Sequence, residues 1–389
     1  MSEREYDVVV FGATGFTGQL TAEYLARRAP AGTHGALAGR NRSKLEQVRE
    51  RLGEINLACA ELPLLHADAG DPDSLRKVAE QAKVVISTVG PYIHYGEPVV
   101  AACAAAGTDY VDLTGEPEFV DLMWLRYHEL AQRTGARLVH SCGFDSIPYD
   151  LGTQFTVEQL PENVPLTVNC YVRAGGTFSG GTYHSAVNIM GRLRQGAATA
   201  RKRKKLEPRP AGRKVRGIAG RPRHEHDAGG WIVPFPSIDP QTVLRSARAL
   251  DAYGPEFTYG HYIVLKNAAQ VAAAAAAVGG IVTLAQAKAT RNLLLKVRDP
   301  GEGPSPEQRA KSWFNVRFVG EGIGERVVAE VRGGDPGYGE TSKMLAEAAL
   351  CLATDDLPET AGQVTPAVAM GGALRARLIA AGIEFEVVT

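Results

Sequence analysis

Cysteine is scarce in this chain: 389 residues hold five, Cys59, Cys103, Cys142, Cys170 and Cys351, and no two are spaced as CxxC. An odd, scattered set excludes a disulfide framework and a zinc knuckle, and free thiols suit a reducing cytoplasm. Net charge is absent too, with 43 Lys and Arg against 43 Asp and Glu. The chain as a whole is therefore no polyelectrolyte, and since no aromatic interleaving accompanies its one basic run, around RKRKK at 201–205, nucleic acid is the weakest candidate partner. There is no GxSxG nucleophile turn and no HExxH helix. His224 and His226 in RHEHD lack a third ligand at suitable spacing, so no metal is expected. The charged start MSEREYD enters a strand directly and offers no apolar core for a secretory signal, which adds to the expectation of a cytoplasmic protein. With 44% hydrophobic and 22% charged residues, the composition is that of a globular chain of two to three domains.

What is present begins at Val8. The run VVVFGATGFTG has no polar residue before Gly12, as a parallel strand buried on both faces requires. The segment after Gly18, QLTAEYLARRA, places Leu20, Tyr24 and Leu25 on one helical face, with Arg27 and Arg28 in the last turn. A strand, a glycine turn and a helix in succession form the context in which a GxxGxxG spacing binds a dinucleotide. Gly12 permits the turn, Gly15 lets a pyrophosphate approach the backbone, and Gly18 lets the helix pack close. Thr14, Phe16 and Thr17 complete the loop. The next strand, Gly35–Ala38, leads into Gly39-Arg40-Asn41-Arg42 and a helix capped by Ser43. A ribose 2′-hydroxyl is usually met by Asp or Glu at this strand end. Here no carboxylate stands there, and two guanidinium groups suited to a phosphate do. NADPH is the expected cofactor, with Arg40 favoured over Arg42. A third strand, LPLLHAD, ends at Asp68, where an adenine edge is often met.

A fourth strand, Val84–Thr88, leads into Val89, Gly90 and Pro91. TDYVDLTGE reads as the fifth strand, and ARLVHSCG as the sixth, ending around Cys142–Gly143. Six strands alternating with helices predict an α/β fold with a doubly wound parallel (Rossmann) sheet over residues 1–150, ligands lying at the carboxyl ends of its strands. A second, smaller α+β domain is expected over 151–338. Its strands include Pro165–Val172 and a hairpin turning around Glu321–Glu325. Residues 339–389 read as helices and a strand, part of which is expected to return to the first domain.

The motifs GATGFTG, AGRN, STVGPYIHYGEPVVAACAAAGTDYVDLTGE and SCGFDSIPYDLG occur in this order. Together with GEGPSPEQRAKSWFNVRF and GGDPGYGETSKMLAEAALCLA they resemble the saccharopine dehydrogenase-like oxidoreductases over nearly the whole chain. The similarity points to the branch containing the trans-acting enoyl reductases of polyketide-derived lipid synthesis. The resemblance implies NADPH-dependent reduction of a C=C in a small-molecule or carrier-bound acyl thioester. Two alternatives stand beside it: reduction of an amino-acid-derived imine, as in the wider superfamily, and a cofactor-binding scaffold without catalysis. Enoyl reduction builds negative charge on the thioester oxygen and then requires a proton at the neighbouring carbon. Tyr92, His94 and Tyr95 follow the fourth strand and Asp145 follows the sixth; these are the candidate donors and acids.

Two further stretches stand apart by composition. Between Arg194 and Arg223 there are twelve Lys or Arg and one acid, Glu207. This run reads either as a solvated surface or as a dock for an acidic carrier protein, a synthase or an anionic membrane. Residues 267–287 carry no charge but are mostly Ala and Gly, which predicts a buried or membrane-surface helix in preference to a spanning one. A homodimer with peripheral membrane contact is the expected assembly.

Overall fold

The computed structural model describes residues 4–176, 180–297 and 303–388, the side chains of 180–182 excepted. The first strand, β1 (Tyr6–Phe11), is apolar because it is covered on both sides. Val8 and Val10 enter one core cluster, and Val9 and Phe11 the other. It is followed by β2 (Gly35–Gly39), β3 (Leu64–His66), β4 (Ala82–Ser87), β5 (Asp109–Asp112) and β6 (Arg137–Val139). All pair in parallel, in the spatial order β6-β5-β4-β1-β2-β3. Parallel neighbours need crossovers. These run through α1 (Phe16–Arg28), α2 (Arg42–Ile55), α3 (Pro72–Gln81), the short α4 (Tyr92–Tyr95), α5 (Glu97–Ala106) and α6 (Pro117–Thr134). The order reverses between β1 and β4, the switch point at which a doubly wound sheet opens a ligand crevice.

Three local expectations are corrected. Helix α1 buries Thr21, Ala22 and Ala26, while Leu20, Tyr24 and Leu25 lie half-buried. A Cβ on Gly18 would stand 2.2 Å from the Gly12 carbonyl oxygen, so the helix sits too close to the sheet for large side chains. Helix α2 is capped by Asn41, whose side chain accepts the Lys44 N–H at 3.0 Å, and Ser43 falls inside its first turn. Strand β6 stops at Val139, short of Cys142, because Ser141 adopts φ 62° and turns its N–H onto Asp112 Oδ1 at 2.9 Å.

Helix α7 (Ile147–Val157) leads out of the first sheet. The next elements are β7 (Leu166–Gly175), α8 (Gly180–Gly191), α9 (Leu193–Leu206), β8 (Lys214–Ile218), β9 (Arg223–Glu225) and β10 (Gly230–Pro234). Then come α10 (Asp239–Ala249), β11 (Glu256–Leu265), α11 (Ala268–Ala285), α12 (Lys288–Leu295), α13 (Pro306–Arg309), β12 (Trp313–Gly322) and β13 (Glu325–Gly333). Their strands form a mixed sheet in the order β13-β12-β7-β11-β10-β9, with β8 alongside β11. The hairpin of β12 and β13 closes on Ile323 and Gly324, at φ 39° and 77°, the two positive values a tight two-residue hairpin demands. The chain then returns: α14 (Gly339–Thr354) packs on α1, β1, β4 and β5, and β14 (Gly362–Val364) joins the first sheet beside β6. Two helices, α15 (Pro366–Ala369) and α16 (Gly371–Ala380), lead to β15 (Glu384–Val387), which edges the second sheet against β13.

The basic run does not form one solvated patch. Arg203 is 1% exposed and its guanidinium pairs with Asp121 and Glu207. Glu207 also takes Arg245 at 2.9 Å. Its neighbours Arg201, Lys202, Lys204 and Lys205 face solvent. Breaking a buried ion pair strands the partner charges, so Arg203→Ala should destabilise the protein by about 3–5 kcal/mol. Lys204→Ala should shift stability by less than about 0.5 kcal/mol. Urea unfolding of the two variants checks the contrast, and equal shifts would contradict the buried assignment.

Candidate active site

The loops after β1, β2, β3 and β4 all open at the carboxyl edge of the first sheet. Gly12 is held at φ 91°, and a Cβ there would lie 2.7 Å from Thr88 Oγ1, so the loop after β1 is pressed against the loop after β4. Gly15 differs: it is exposed, and a Cβ would meet only the Gly12 carbonyl oxygen at 3.4 Å. Gly15 is also the N-cap of α1 and supplies no side-chain cap. The first-turn N–H groups of Phe16, Thr17 and Gly18 are thus left for an anion, in a cradle that a larger residue would fill. Thr14 gives its carbonyl to Gln19 Nε2 at 2.9 Å, which fixes the loop from outside. Phe16 turns its ring onto Tyr338, 4.8 Å between centroids, and so points toward the second half of the chain.

The two arginines after β2 separate clearly. Arg42 is tied down, Nε to Glu46 at 3.2 Å and NH1 to the Leu64 carbonyl at 3.1 Å. Arg40 is exposed and makes no hydrogen bond or ion pair among the described residues. Asn41 spends its side chain on the α2 cap. Asp68 uses Oδ1 to accept the Gly70 N–H at 2.9 Å. Across the crevice, Val89, Gly90 and Pro91 follow β4, with the Gly90–Pro91 peptide in cis. The donor set fits NADPH: uncapped N–H groups for the pyrophosphate and an unpaired guanidinium for the 2′-phosphate.

Beyond the crevice the loops after β5 and β6 meet the second sheet. Asp145 presses its Oδ2 toward Gly115, where a Cβ would stand only 2.9 Å away. Asp145 is partly exposed and makes no hydrogen bond among the described residues. Burial of the surrounding pocket, together with the neighbouring Asp239 carboxylate, pushes its acid up to about 7. The second carboxylate adds to the effect of burial, because two carboxylates side by side resist double ionisation. Asp239 opens α10 and is itself held by Ser237 Oγ and by Ser146 Oγ at 3.3 Å. His261 on β11 brings Nε2 to 3.5 Å from Asp239 Oδ2, and its Nδ1 lies 3.0 Å from Tyr259 Oη. Ser146 occupies φ 89°, a strained backbone at the point where the acids converge. Asp239 and His261 lie far from Asp145 in sequence and were not among the expected site residues.

The expected donors after β4 take different places. Tyr92 is buried, and burial drives its phenol well above the usual range. Its hydroxyl donates to the Ser87 carbonyl at 2.9 Å and accepts the Leu113 N–H at 3.2 Å. That commits it to joining the loops after β4 and β5, and it is corrected from candidate donor to positioning residue. His94 and Tyr95 are exposed on α4. Glu116 is buried under them, accepting the Tyr92 N–H at 3.1 Å, the Ile93 N–H at 2.9 Å and Ser185 Oγ at 3.0 Å. Burial raises its acid. Among the described residues no metal-binding cluster is found.

Comparison with known proteins agrees with this geometry. Residues 8–139 match the family model of the saccharopine dehydrogenase NADP-binding domain. The chain is 39% identical over 415 residues to a Mycobacterium tuberculosis protein named provisionally as a trans-acting enoyl reductase, covering 98% of this chain and 97% of the relative. It is 36% identical over 413 residues to the trans-acting enoyl reductase of Mycobacterium ulcerans, with the same coverage of 98% and 97%. The chain belongs to the saccharopine dehydrogenase-like oxidoreductases, in the trans-acting enoyl reductase branch. Apo saccharopine dehydrogenase (L-Glu forming) from Saccharomyces cerevisiae shares the fold at a TM-score of 0.55 and 12% identity, covering 98% of this chain and 99% of the yeast one. The family's cofactor is the one the crevice accommodates, and this oxidoreductase binds NADPH. Charged hydrogen bonds contribute about 1.5–3 kcal/mol, so Arg40→Ala should weaken NADPH binding about ten- to a hundredfold while sparing NADH. Arg42→Ala, already paired within the protein, should do much less. Fluorescence titration of both cofactors measures this, and equal wild-type affinity for NADPH and NADH would contradict the assignment.

Proposed function

We propose that this oxidoreductase reduces a C=C conjugated to a thioester carbonyl in an acyl chain delivered by a separate synthase. The observation that supports the reading best is the acidic character of the loop that carries Asp145. Asp145 and Asp239 lie together there, with Glu116 next in sequence to the Gly115 that Asp145 presses, while Arg192, Arg203 and Arg245 are each paired with a carboxylate. An amino-acid imine brings a carboxylate that such a site repels; a thioester brings none.

NADPH, when bound, supplies the hydride. The chain's own residues have the remaining work. Tyr95 and His94, exposed beside the crevice, offer donors to the thioester oxygen as charge gathers there. Asp145 keeps a proton near neutral pH and delivers it to the carbon next to the carbonyl. Burial, and Asp239 held by Ser146 and Ser237, keep Asp145 protonated, since a second negative charge beside it is resisted. Tyr92 and Glu116 position the loops on which these groups ride. The cytoplasm and lipid biosynthesis are the setting this reading implies.

The protonated form of Asp145 is the active one on this account. Its acid is raised, so activity should be full below about pH 7 and should fall as pH rises through that value. Asp145→Asn should lower kcat by about a hundredfold or more and flatten that limb of the profile. A merely structural aspartate would leave the profile unchanged in shape. NADPH oxidation should be seen with enoyl thioesters and not with saturated thioesters or amino-acid imines. Turnover of imines with silence on every enoyl thioester would overturn the proposal.

A further inference from the structure

The uncharged stretch in the middle of the chain is not buried. Helix α11 is long and apolar enough to cross a membrane, yet Ala285 is its one buried residue. Val278 and Leu284 on α11, Leu293 on α12 and Val297 just beyond it are exposed, the last two at 67% and 72%. Leu193, at the start of α9, is exposed beside them, since Gly191 packs against Arg291 and the Ala285 carbonyl. A soluble monomer seldom leaves so continuous an apolar surface in water. The charge around it has one sign. Lys266, Lys288, Lys296 and Arg194 are exposed at its borders, and neither 180–206 nor 257–297 contains an Asp or Glu. Within those segments Arg192 is neutralised by Glu118 at 2.7 Å and Arg203 by Asp121 and Glu207, while the bordering lysines and Arg194 have no acidic partner among the described residues.

We propose that the α11–α12 hairpin seats this enzyme on an anionic lipid bilayer surface. The occupant must accept an apolar helix and a cationic rim together. A second copy docked by a twofold axis would set Lys against Lys. An acidic protein would pair with the cations and leave the uncharged helix unmatched. Acyl chains beneath anionic headgroups satisfy both. The hairpin is also fastened to the site. Gln286 Nε2 donates to the Met190 carbonyl at 2.8 Å and Tyr183 Oη to the Leu294 carbonyl at 3.1 Å, both joining it to α8. From α8, Ser185 reaches Glu116. The surface therefore lies one helix away from the loops that carry the acids, where a lipid-soluble acyl chain would arrive. The proposal goes beyond the enoyl reading and is independent of it, since binding is scored without turnover.

The test is co-sedimentation of the full chain with vesicles of phosphatidylcholine alone and with phosphatidylglycerol added. The wild type should partition onto the anionic vesicles, more weakly as salt rises. Each cation near such a surface contributes about fivefold, so the double variant Lys288→Glu, Lys296→Glu should lose at least about tenfold. Leu293→Glu should lose binding as well. These positions are exposed, and unchanged circular dichroism and NADPH affinity would show that the fold survives. Wild type left in the supernatant, or variants that bind as it does, would overturn the proposal. So would dimerisation or capture of an acidic carrier protein that Leu293→Glu abolishes while vesicles stay bare.

Discussion

A parallel sheet cannot leave either face in water, and that constraint organises the whole chain. Helices α3, α5 and α6 cover one side of the first sheet. The other side is completed by α14, whose residues from Met344 to Leu352 are all buried. Because α14 follows the second sheet in sequence, that sheet must sit where its last strand can hand the chain back. Thr341, in the first turn of α14, fixes the outcome. Its Oγ1 accepts the Phe144 N–H at 3.0 Å, and a Cβ on Gly143 would lie 3.0 Å from its methyl carbon. The loop that carries Asp145 is thus clamped by the helix that closes the sheet.

The same return creates the electrostatic situation at the site. Asp145 belongs to the first domain, and Asp239 and His261 come from the second. Packing the two around the carboxyl edge brings acid against acid. In isolation Asp145 would be an ordinary carboxylate. Buried, and with Asp239 beside it, it becomes an acid that holds its proton close to neutrality. Strain at Ser146 is the local counterpart of that arrangement, a serine kept left-handed so that its hydroxyl meets Asp239 and Thr242.

Features determined by neighbours in sequence were legible from the start, and features that depend on the return of the chain were not. The glycine loop, its strand and its helix are contiguous, so their purpose can be read from spacing. Arg40 and Arg42 look alike by type, although the partner of Arg42 stood four residues on, at Glu46, as an i,i+4 pair. Arg203 and Glu207 carry the same spacing, a signal that the basic run was tied inward. Asp239 has the look of a helix-start acid and His261 of a polar residue in an apolar strand. Neither offers any local sign of the cluster it joins, Asp239 beside Asp145 and His261 beside Asp239. Tyr92 misled because position alone does not show where a hydroxyl points. The helix at 268–285 was recognisable as apolar, but its exposure depends on packing that no local pattern reports.

The most direct test of the account follows isotope in the product. The purified enzyme, given a conjugated enoyl thioester and NADPH deuterated at C4, should yield saturated thioester with deuterium at the carbon remote from the carbonyl. Run with unlabelled NADPH in deuterium oxide, it should place deuterium at the carbon next to the carbonyl, on one face only, where Asp145 delivers its proton. Label remote from the carbonyl with a racemic neighbouring carbon would contradict a positioned acid. Label appearing only at the carbon of a reduced imine would contradict the central claim.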